Sequence, residues 1–412
     1  MKFSKLSQLA LVSAIGLTVA TLLTACQLVT IDFVYVAASS GTSAGSAGQI
    51  YGYATDASSG AIRSAITPIA SGGTNPVAMA ETSDYFNIYV ANQGNNSVVH
   101  FSVADSGTLT QKESITSTNT PVYLAVNSSN TYLYVISYLP TSAANTATLA
   151  EYPLSNGVIG SPTATVTLNL SAVNSAFTSD TLIPTGVTVL ANNSAVFVTA
   201  VDKSAYNPGG TTTSNANPGW IFGYSIGSSG ALTAVAGSPY QAGVKPSALT
   251  TEPTSRFIYV TDYASNQLIG YTVLSTNVLS FMFNGPFRTG NEPTAIVIDP
   301  RGIYMYVTNS LDSSLSEYSI ALPTGTPSTI VNAASGSGNG TDTDPVSITV
   351  EPSLGRFVYT ANRLGNSISG FRLNPDTGAL SVTQATPYPT GAYPMAIIAI
   401  PHGNHATQSI TP

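Results

Sequence analysis

A seven-fold internal repeat constrains this 412-residue chain more than any other feature. Each copy holds a short apolar strand in which an aromatic residue is followed by Val or Thr. The seven aromatic residues are Tyr35, Tyr89, Tyr134, Phe197, Tyr259, Tyr306 and Tyr359. A unit this short cannot bury its apolar face alone, so the repeat predicts a fold in which neighbouring units cover one another.

Two further elements recur in register with this strand. A second aromatic residue follows each copy, at Tyr53, Phe101, Tyr152, Tyr224, Tyr271, Tyr318 and Phe371. The spacing between the two aromatics is 12 residues in four copies and 18, 18 and 27 in the others, which indicates loops inserted into a constant frame. A proline that opens an alternating apolar strand precedes six of the copies, at Pro76, Pro121, Pro184, Pro246, Pro293 and Pro345.

The seventh proline stands at the wrong end of the chain for a linear array. The copy around Tyr35 has no proline strand before it, whereas the strand at Pro394 has no copy after it. Pairing the two closes a ring and leaves no long exposed sheet edge. We therefore predict an all-β, seven-bladed β-propeller of four-stranded antiparallel blades over residues 33–400, in which the C-terminal strand completes the N-terminal blade. Residues 401–412 are predicted to form a solvated tail.

The N-terminus carries a predicted export signal. Lys2 and Lys5 precede an apolar stretch that ends in Leu-Thr-Ala-Cys, so residues 1–25 are interpreted as a signal peptide. The ending resembles the lipobox of bacterial lipoproteins, which implies lipidation of Cys26 and a tether over residues 26–32. An ordinary cleaved signal and an uncleaved anchor are the alternatives. We expect a protein of the cell envelope, held outside the cytoplasm at the outer membrane or the periplasmic face through Cys26.

Composition narrows the class of partner. Only 8% of the residues are charged, against roughly a quarter in ordinary soluble proteins. The net charge is −7 and the chain has no run of Lys or Arg, which argues against a nucleic-acid partner. The sequence predicts a monomer, and it indicates neither a cofactor nor a metal site.

Three of the repeats carry a resemblance to a known group. Segments 258–262, 305–309 and 357–362 resemble the Tyr-Val-Thr-Asn repeats of surface-layer propellers. A Gly-x-Leu element after the second aromatic, as at 107–109, 230–232 and 378–380, is similar to the lactonase family of seven-bladed propellers. That family includes phosphogluconolactonases and carboxymuconate cycloisomerases, so the resemblance implies the same fold and, as one possible activity, lactone chemistry.

Propeller topology predicts where a site would lie. Residues just before each inner-strand proline should ring the mouth of the central channel, and Lys245, Glu292 and Asp344 share this register in three consecutive repeats. A carboxylate could activate water there while a cation stabilises an oxyanion, so these three are the candidate catalytic residues. The candidate binding residues on the same face are Asp202, Asp262, Arg288 and Arg363. The alternative is that charges on a wet loop face simply pair between neighbouring blades.

The histidines do not support a mechanism inherited from the cycloisomerases. That branch of the family is associated with a mid-chain His beside Arg and Glu partners. This chain has only His100, His402 and His405, and none matches that position. The sequence consequently favours a binding module that recognises a glycan, a small-molecule lactone or an envelope protein through its channel-mouth loops. A lactonase acting outside the cytoplasm is the first alternative, and a structural surface-layer component is the second.

Overall fold

The structure, a computed structural model, describes residues 29–41, 45–142, 144–171, 173, 181–203, 218–331 and 339–403. These residues form seven antiparallel sheets, which are the blades of a propeller. The export signal and Cys26 lie outside the described residues. Within the described ranges, no helix is long and apolar enough to cross a membrane.

The blades follow one another along the chain, and blade 1 is built from both ends of it. Blade 1 consists of β1 (Thr30–Ser39), β2 (Ala47–Asp56), β3 (Ile62–Thr74) and the last strand, β32 (Pro394–Pro401). Blade 2 consists of β4 (Pro76–Glu81), β5 (Asn87–Asn92), β6 (Ser97–Val103) and β7 (Leu109–Thr116), with a 3-10 turn at Gln93–Asn95. Blade 3 consists of β8 (Thr120–Val126), β9 (Tyr132–Tyr138), β10 (Thr148–Ser155), β11 (Val158–Ile159) and β12 (Ala164–Thr167).

The remaining four blades repeat this plan, and in most of them the outermost strand is split into two short pieces. Blade 4 consists of β13 (Leu182–Val189), β14 (Ala195–Asp202), β15 (Gly219–Ile226), β16 (Leu232–Ala234) and β17 (Tyr240–Gln241). Blade 5 consists of β18 (Pro246–Thr251), β19 (Phe257–Asp262), β20 (Gln267–Val273), β21 (Leu279–Phe281) and β22 (Phe287–Arg288). Blade 6 consists of β23 (Pro293–Ile298), β24 (Tyr304–Asn309), β25 (Ser314–Ala321) and β26 (Thr326–Val331). Blade 7 consists of β27 (Pro345–Val350), β28 (Phe357–Asn362), β29 (Ser367–Leu373), β30 (Leu380–Val382) and β31 (Tyr388–Pro389).

The ring closes as the sequence predicts. Strand β32 pairs antiparallel with β1, and its proline, Pro394, faces Ala38. The inner strands β4, β8, β13, β18, β23, β27 and β32 lie side by side around the axis, and β32 returns to contact β4. The apolar core is divided among the blade interfaces, since each hydrophobic cluster of the described residues draws on two neighbouring blades.

The repeated tyrosine and glycine fasten one blade to the next. The hydroxyl of the strand tyrosine donates a hydrogen bond to a glycine carbonyl in the following blade, over 2.6 to 2.8 Å. The pairs are Tyr35–Gly107, Tyr89–Gly157, Tyr259–Gly325, Tyr306–Gly378 and, across the closure, Tyr359–Gly60. All five glycines have positive φ, which explains the preference for glycine at this turn. Blade 4 has Phe197 instead of tyrosine, and Tyr134 of blade 3 bonds to Glu151.

The strands of blade 1 extend beyond residues 33–400 at both ends. Thr30 to Asp32, assigned to the tether, belong to β1, and the carboxyl group of Asp32 is buried. Pro401, assigned to the tail, is the last residue of β32, and the backbone of His402 bonds to Ile31. The ring of His402 also lies 5.2 Å from that of Phe33. His402 is therefore packed onto blade 1 instead of being solvated, because the closing strand is one pair longer than the apolar pattern indicated.

Candidate active site at the channel mouth

The inner strands enclose a channel of about 420 Å3. Most of its lining residues are apolar in type, and among the described residues Glu81 is the one charged residue that lines it. Burial raises the pKa of the Glu81 carboxyl to about 7. Thr294 and Val346 line both this channel and a second pocket at its mouth, so the two spaces adjoin.

The pocket at the channel mouth has a volume of about 510 Å3 and brings together the three candidate catalytic residues. Lys245 comes from the loop before blade 5, Glu292 from the loop before blade 6 and Asp344 from the loop before blade 7. Arg363 follows the second strand of blade 7 and lines the same pocket. The structure thus gathers all three candidate catalytic residues and one of the four candidate binding residues.

A backbone hydrogen bond that recurs from blade to blade places these residues at equivalent positions around the channel mouth. The residue that follows the second strand of a blade donates its N–H to the carbonyl of the residue before the inner proline. The donor and acceptor pairs are Gln93 and Asn75, Tyr263 and Lys245, Ser310 and Glu292, and Arg363 and Asp344. Since the same bond recurs, the pocket is built in blades 5, 6 and 7 from the same two positions: the residue before the inner proline and the residue after the second strand.

Two of the pocket carboxylates stand on unusual backbone. Glu292 has a φ of 54° and Asp344 a φ of 62°, in the left-handed region that non-glycine residues seldom adopt. The Asn266 side chain accepts a 2.8 Å hydrogen bond from the N–H of Glu292 and so helps to hold this conformation. Asn75 and Tyr393 adopt the same conformation before the inner prolines of blades 2 and 1, so the turn belongs to the repeat.

The two carboxylates have different partners. Asp344 is buried and forms a 2.7 Å ion pair with Nε of Arg363, whose side chain is 41% exposed. Glu292 is partly buried and accepts a hydrogen bond from the Ser310 hydroxyl at 3.4 Å. Asp344 is therefore engaged with Arg363, whereas Glu292 forms no ion pair with the described residues.

Lys245 lies opposite an aromatic ring. Its Nζ atom is 4.2 Å from the centre of the Tyr263 ring, a cation–π contact that holds the ammonium group at the pocket wall. Its backbone N–H donates to the carboxylate of Asp262 at 2.9 Å. The position of Lys245 is thus fixed from both its backbone and its side chain.

The other three candidate binding residues lie outside the pocket. The Asp262 side chain is fully buried and accepts hydrogen bonds from the backbone of Val244 and Lys245. Asp202 is also buried, at the end of β14. Arg288 is exposed and lines a separate cleft of about 370 Å3 toward the outer edge of blade 5.

Sequence reasoning missed several residues of the pocket. Tyr263 and Ser310 contact the candidate catalytic residues, and Leu311 and Leu364 form an apolar rim in which their side chains are 66% and 56% exposed. The signal that could have revealed them is positional, because Tyr263, Ser310 and Arg363 each directly follow the last residue of the second strand. Asn266 could have been found in the same way, since Asn96 and Asn366 occupy its position in blades 2 and 7.

The two histidines that the structure describes, His100 and His402, make packing and hydrogen-bond contacts outside the pocket. His100 is buried, its Nδ1 lies 3.0 Å from Glu113, and its Nε2 lies 2.8 Å from the side-chain oxygen of Asn87. His402 packs on Phe33, and His405 lies outside the described residues. Among the described residues, no three His, Cys, Asp or Glu side chains come together as a metal site would require.

Fold and pocket together define a seven-bladed propeller with a charged cavity at the mouth of its axial channel. A family model described as "Lactonase, 7-bladed beta-propeller" matches residues 34–180 and 241–405, which is well over half of the chain. The chain belongs to this family. The unmatched stretch between the two segments is blade 4, which also lacks the strand tyrosine. No curated protein matches the chain in a sequence search.

Solved structures of similar fold include proteins from two bacteria. The periplasmic gluconolactonase of Pseudomonas aeruginosa shares 17% identity over 90% of this chain and 99% of its own, with a TM-score of 0.71. A proposed 6-phosphogluconolactonase of Bacteroides uniformis shares 16% identity over 90% of this chain and 100% of its own, with a TM-score of 0.69. At these identities the likeness establishes the fold alone.

Proposed function

We propose that this protein hydrolyses a lactone at the channel-mouth pocket, in place of the pure binding role that the sequence alone favoured. The observation that carries the proposal is the gathering of Lys245, Glu292, Asp344 and Arg363 in one pocket. Membership of the lactonase family supports it, as does the fold shared with a gluconolactonase. The proposed reaction adds water to the ring ester and gives a hydroxy acid.

Each charged residue of the pocket has a separate role in the proposed reaction. Glu292 takes a proton from water, which attacks the lactone carbonyl carbon. The Lys245 ammonium and the Arg363 guanidinium stabilise the negative charge that develops on the carbonyl oxygen. Asp344 is a positioning residue that holds Arg363 through its Nε atom. The bond between the carbonyl carbon and the ring oxygen then breaks, and the ring oxygen leaves as an alcohol after taking the proton back from Glu292.

The charge balance of the pocket favours an uncharged lactone. Lys245 and Arg363 are offset by Glu292 and Asp344, and no other cation lines the pocket among the residues that the structure describes. Arg363 is already paired, so a phosphate group would find little compensation here. We therefore propose an unphosphorylated lactone, of sugar or other origin, as the substrate.

We also propose that the reaction takes place outside the cytoplasm, with the protein anchored through Cys26. The apolar leader and the cysteine after it support this location, and the similar gluconolactonase of Pseudomonas aeruginosa is periplasmic. Radiolabelled fatty acid should enter the protein in growing cells, and Cys26→Ser should abolish the labelling. Equal labelling of both proteins would contradict the anchor.

A lactone panel followed by pH-stat titration tests the proposed activity. Glucono-δ-lactone and other neutral lactones should release acid faster than in buffer, and faster than 6-phosphogluconolactone at equal concentration. Lys245→Met should lower kcat through the loss of oxyanion stabilisation. The control is Lys112→Met, because Lys112 is exposed on β7 of blade 2 and does not line the pocket. Hydrolysis no faster than in buffer across the panel would contradict the proposed activity.

A further inference from the structure

A second cleft lies on the same face, toward the outer edge of blade 5, and the channel-mouth pocket does not include it. It has two adjoining lobes of about 370 and 260 Å3, and Gln267 and Pro286 line both. Volumes of this order are at the lower end of those found for small-ligand sites. We call the two lobes together the blade 5 cleft.

One lobe of the blade 5 cleft is apolar. Ile269 and Met282 form part of its floor, and the ring of Phe281 stands at its edge with 58% of the residue exposed. The Phe281 ring lies 4.9 Å from that of Tyr271, which holds it in place. A fixed, exposed aromatic ring is a surface against which the C–H face of a sugar can pack.

The other lobe is polar and is lined by two charged side chains, Asp312 and Arg288. The Asp312 carboxylate accepts hydrogen bonds of 2.6 and 2.9 Å from the backbone and side chain of Asn291. Arg288 is exposed and makes no side-chain hydrogen bond or ion pair within the part of the chain that the structure describes. An exposed guanidinium is suited to a carboxylate, which it can bind through two hydrogen bonds.

We propose that the blade 5 cleft binds an acidic saccharide. The sugar ring packs on Phe281, its hydroxyl groups bond to the polar lobe, and its carboxylate pairs with Arg288. The proposal does not rest on the proposed lactone hydrolysis, because Phe281 and Arg288 do not line the channel-mouth pocket.

Calorimetric titration of the full chain with α-1,4-linked trigalacturonate tests the proposal, with neutral α-1,4-galactotriose as the matched ligand. Saturable binding of the acidic trimer is expected, and Arg288→Gln should weaken it by about tenfold or more. The control is Arg372→Gln, since Arg372 is an exposed arginine on β29 of blade 7. Phe281→Ala should also weaken binding, whereas Phe86→Ala should not, although Phe86 is 59% exposed.

Three results would overturn the proposal. They are no binding of the acidic trimer, equal binding by the Arg288→Gln protein, and equal binding of the neutral trimer. Thermal unfolding of each variant separates loss of the site from loss of the fold. Lactone hydrolysis by Arg288→Gln should equal that of the parent. A failure of saccharide binding therefore does not contradict the proposed lactone hydrolysis, and a failure of lactone hydrolysis does not contradict saccharide binding.

Discussion

Asp32 and Glu351 form a buried carboxyl pair at the junction of blades 1 and 7. Both side chains are fully buried, and the Ser353 hydroxyl donates to Asp32 Oδ1 at 2.6 Å. Asp32 Oδ2 has no other donor among the described residues, so a proton shared with Glu351 satisfies it. Burial and the neighbouring Glu351 raise the pKa of Asp32 to about 9, and burial also raises that of Glu351.

This pair should make the protein less stable in alkali. A carboxyl with a raised pKa in the folded state contributes its full stability below its unfolded pKa of about 3.9. That contribution is lost as the pH rises toward 9, the pKa of Asp32 in the fold. Asp32→Asn should remove the effect, because an amide donates to Glu351 at every pH. Its Tm at pH 9 should exceed that of the parent, and the gap should narrow at pH 5.

The control for this experiment is Asp105→Asn, at an exposed carboxylate in blade 2. It should leave the pH dependence of Tm as in the parent. An Asp32→Asn protein whose Tm falls with pH as steeply as that of the parent would show that the pair does not govern alkaline stability.

At the scale of the strand and turn, the tyrosine-to-glycine hydrogen bonds couple neighbouring blades. Tyr259→Phe removes one of them and leaves the buried carbonyl of Gly325 without its partner. We expect the free energy of unfolding to fall by about 1 to 3 kcal/mol in urea titrations. Tyr51→Phe is the control, since among the described residues the Tyr51 hydroxyl bonds only to the exposed side chain of Gln49. Equal stability of parent and Tyr259→Phe would contradict the coupling role.

The glycine of the same pair should tolerate substitution even less. Gly325 has a φ of +71°, and an added Cβ would lie 2.4 Å from Cδ1 of Phe257. Backbone strain and steric overlap together should make Gly325→Ala cost about 2 to 5 kcal/mol. Gly45→Ala, where no atom lies within 4 Å of the added Cβ, should change stability little in the same urea titration. Similar stability of the two variants would contradict this account.

The repeat made the strands predictable, but it did not show whether the side chains at the strand ends point into the protein or toward solvent. The inner prolines begin or lie within the first residues of the innermost strands, because proline suits a strand start and the register recurs. Asp262 was expected at the surface as a binding residue. Its position ends the second strand, and the side chains there, including Asn309 and Asn362, are buried. Asp262 accepts from loop N–H groups, whereas Asn309 and Asn362 donate to serine hydroxyls of the third strand, so the partners of this position differ from blade to blade.

Side-chain contacts between loops also limit how much of the site the sequence can predict. The shared register of Lys245, Glu292 and Asp344 predicted their meeting at the channel mouth, and the structure places them in one pocket. The pairing of Arg363 with Asp344 was not predictable, since it depends on the conformation of two loops. Without that pairing, the separate roles of the two carboxylates could not be assigned.

At the scale of the whole molecule, closure by β32 decides whether the ring forms. This strand fills the inner position of blade 1 and contacts the inner strands of blades 2 and 7. A chain ending at Tyr393 should lose the single cooperative thermal transition of the parent, because blade 1 and two interfaces lose their inner strand. A chain ending at Gly403 keeps β32 and should unfold like the parent. Cooperative unfolding of the shorter chain at the parental Tm would contradict closure by β32.

Steady-state hydrolysis of glucono-δ-lactone by the parent and by Glu292→Gln tests the central claim most directly. We predict that kcat falls by roughly 100-fold or more while Tm is retained, because the amide cannot accept the proton of the attacking water. Asp105→Asn is the control, since this carboxylate is exposed in blade 2 and does not line the pocket. A Glu292→Gln protein that hydrolyses the lactone at the parental rate would contradict a catalytic centre at the channel mouth.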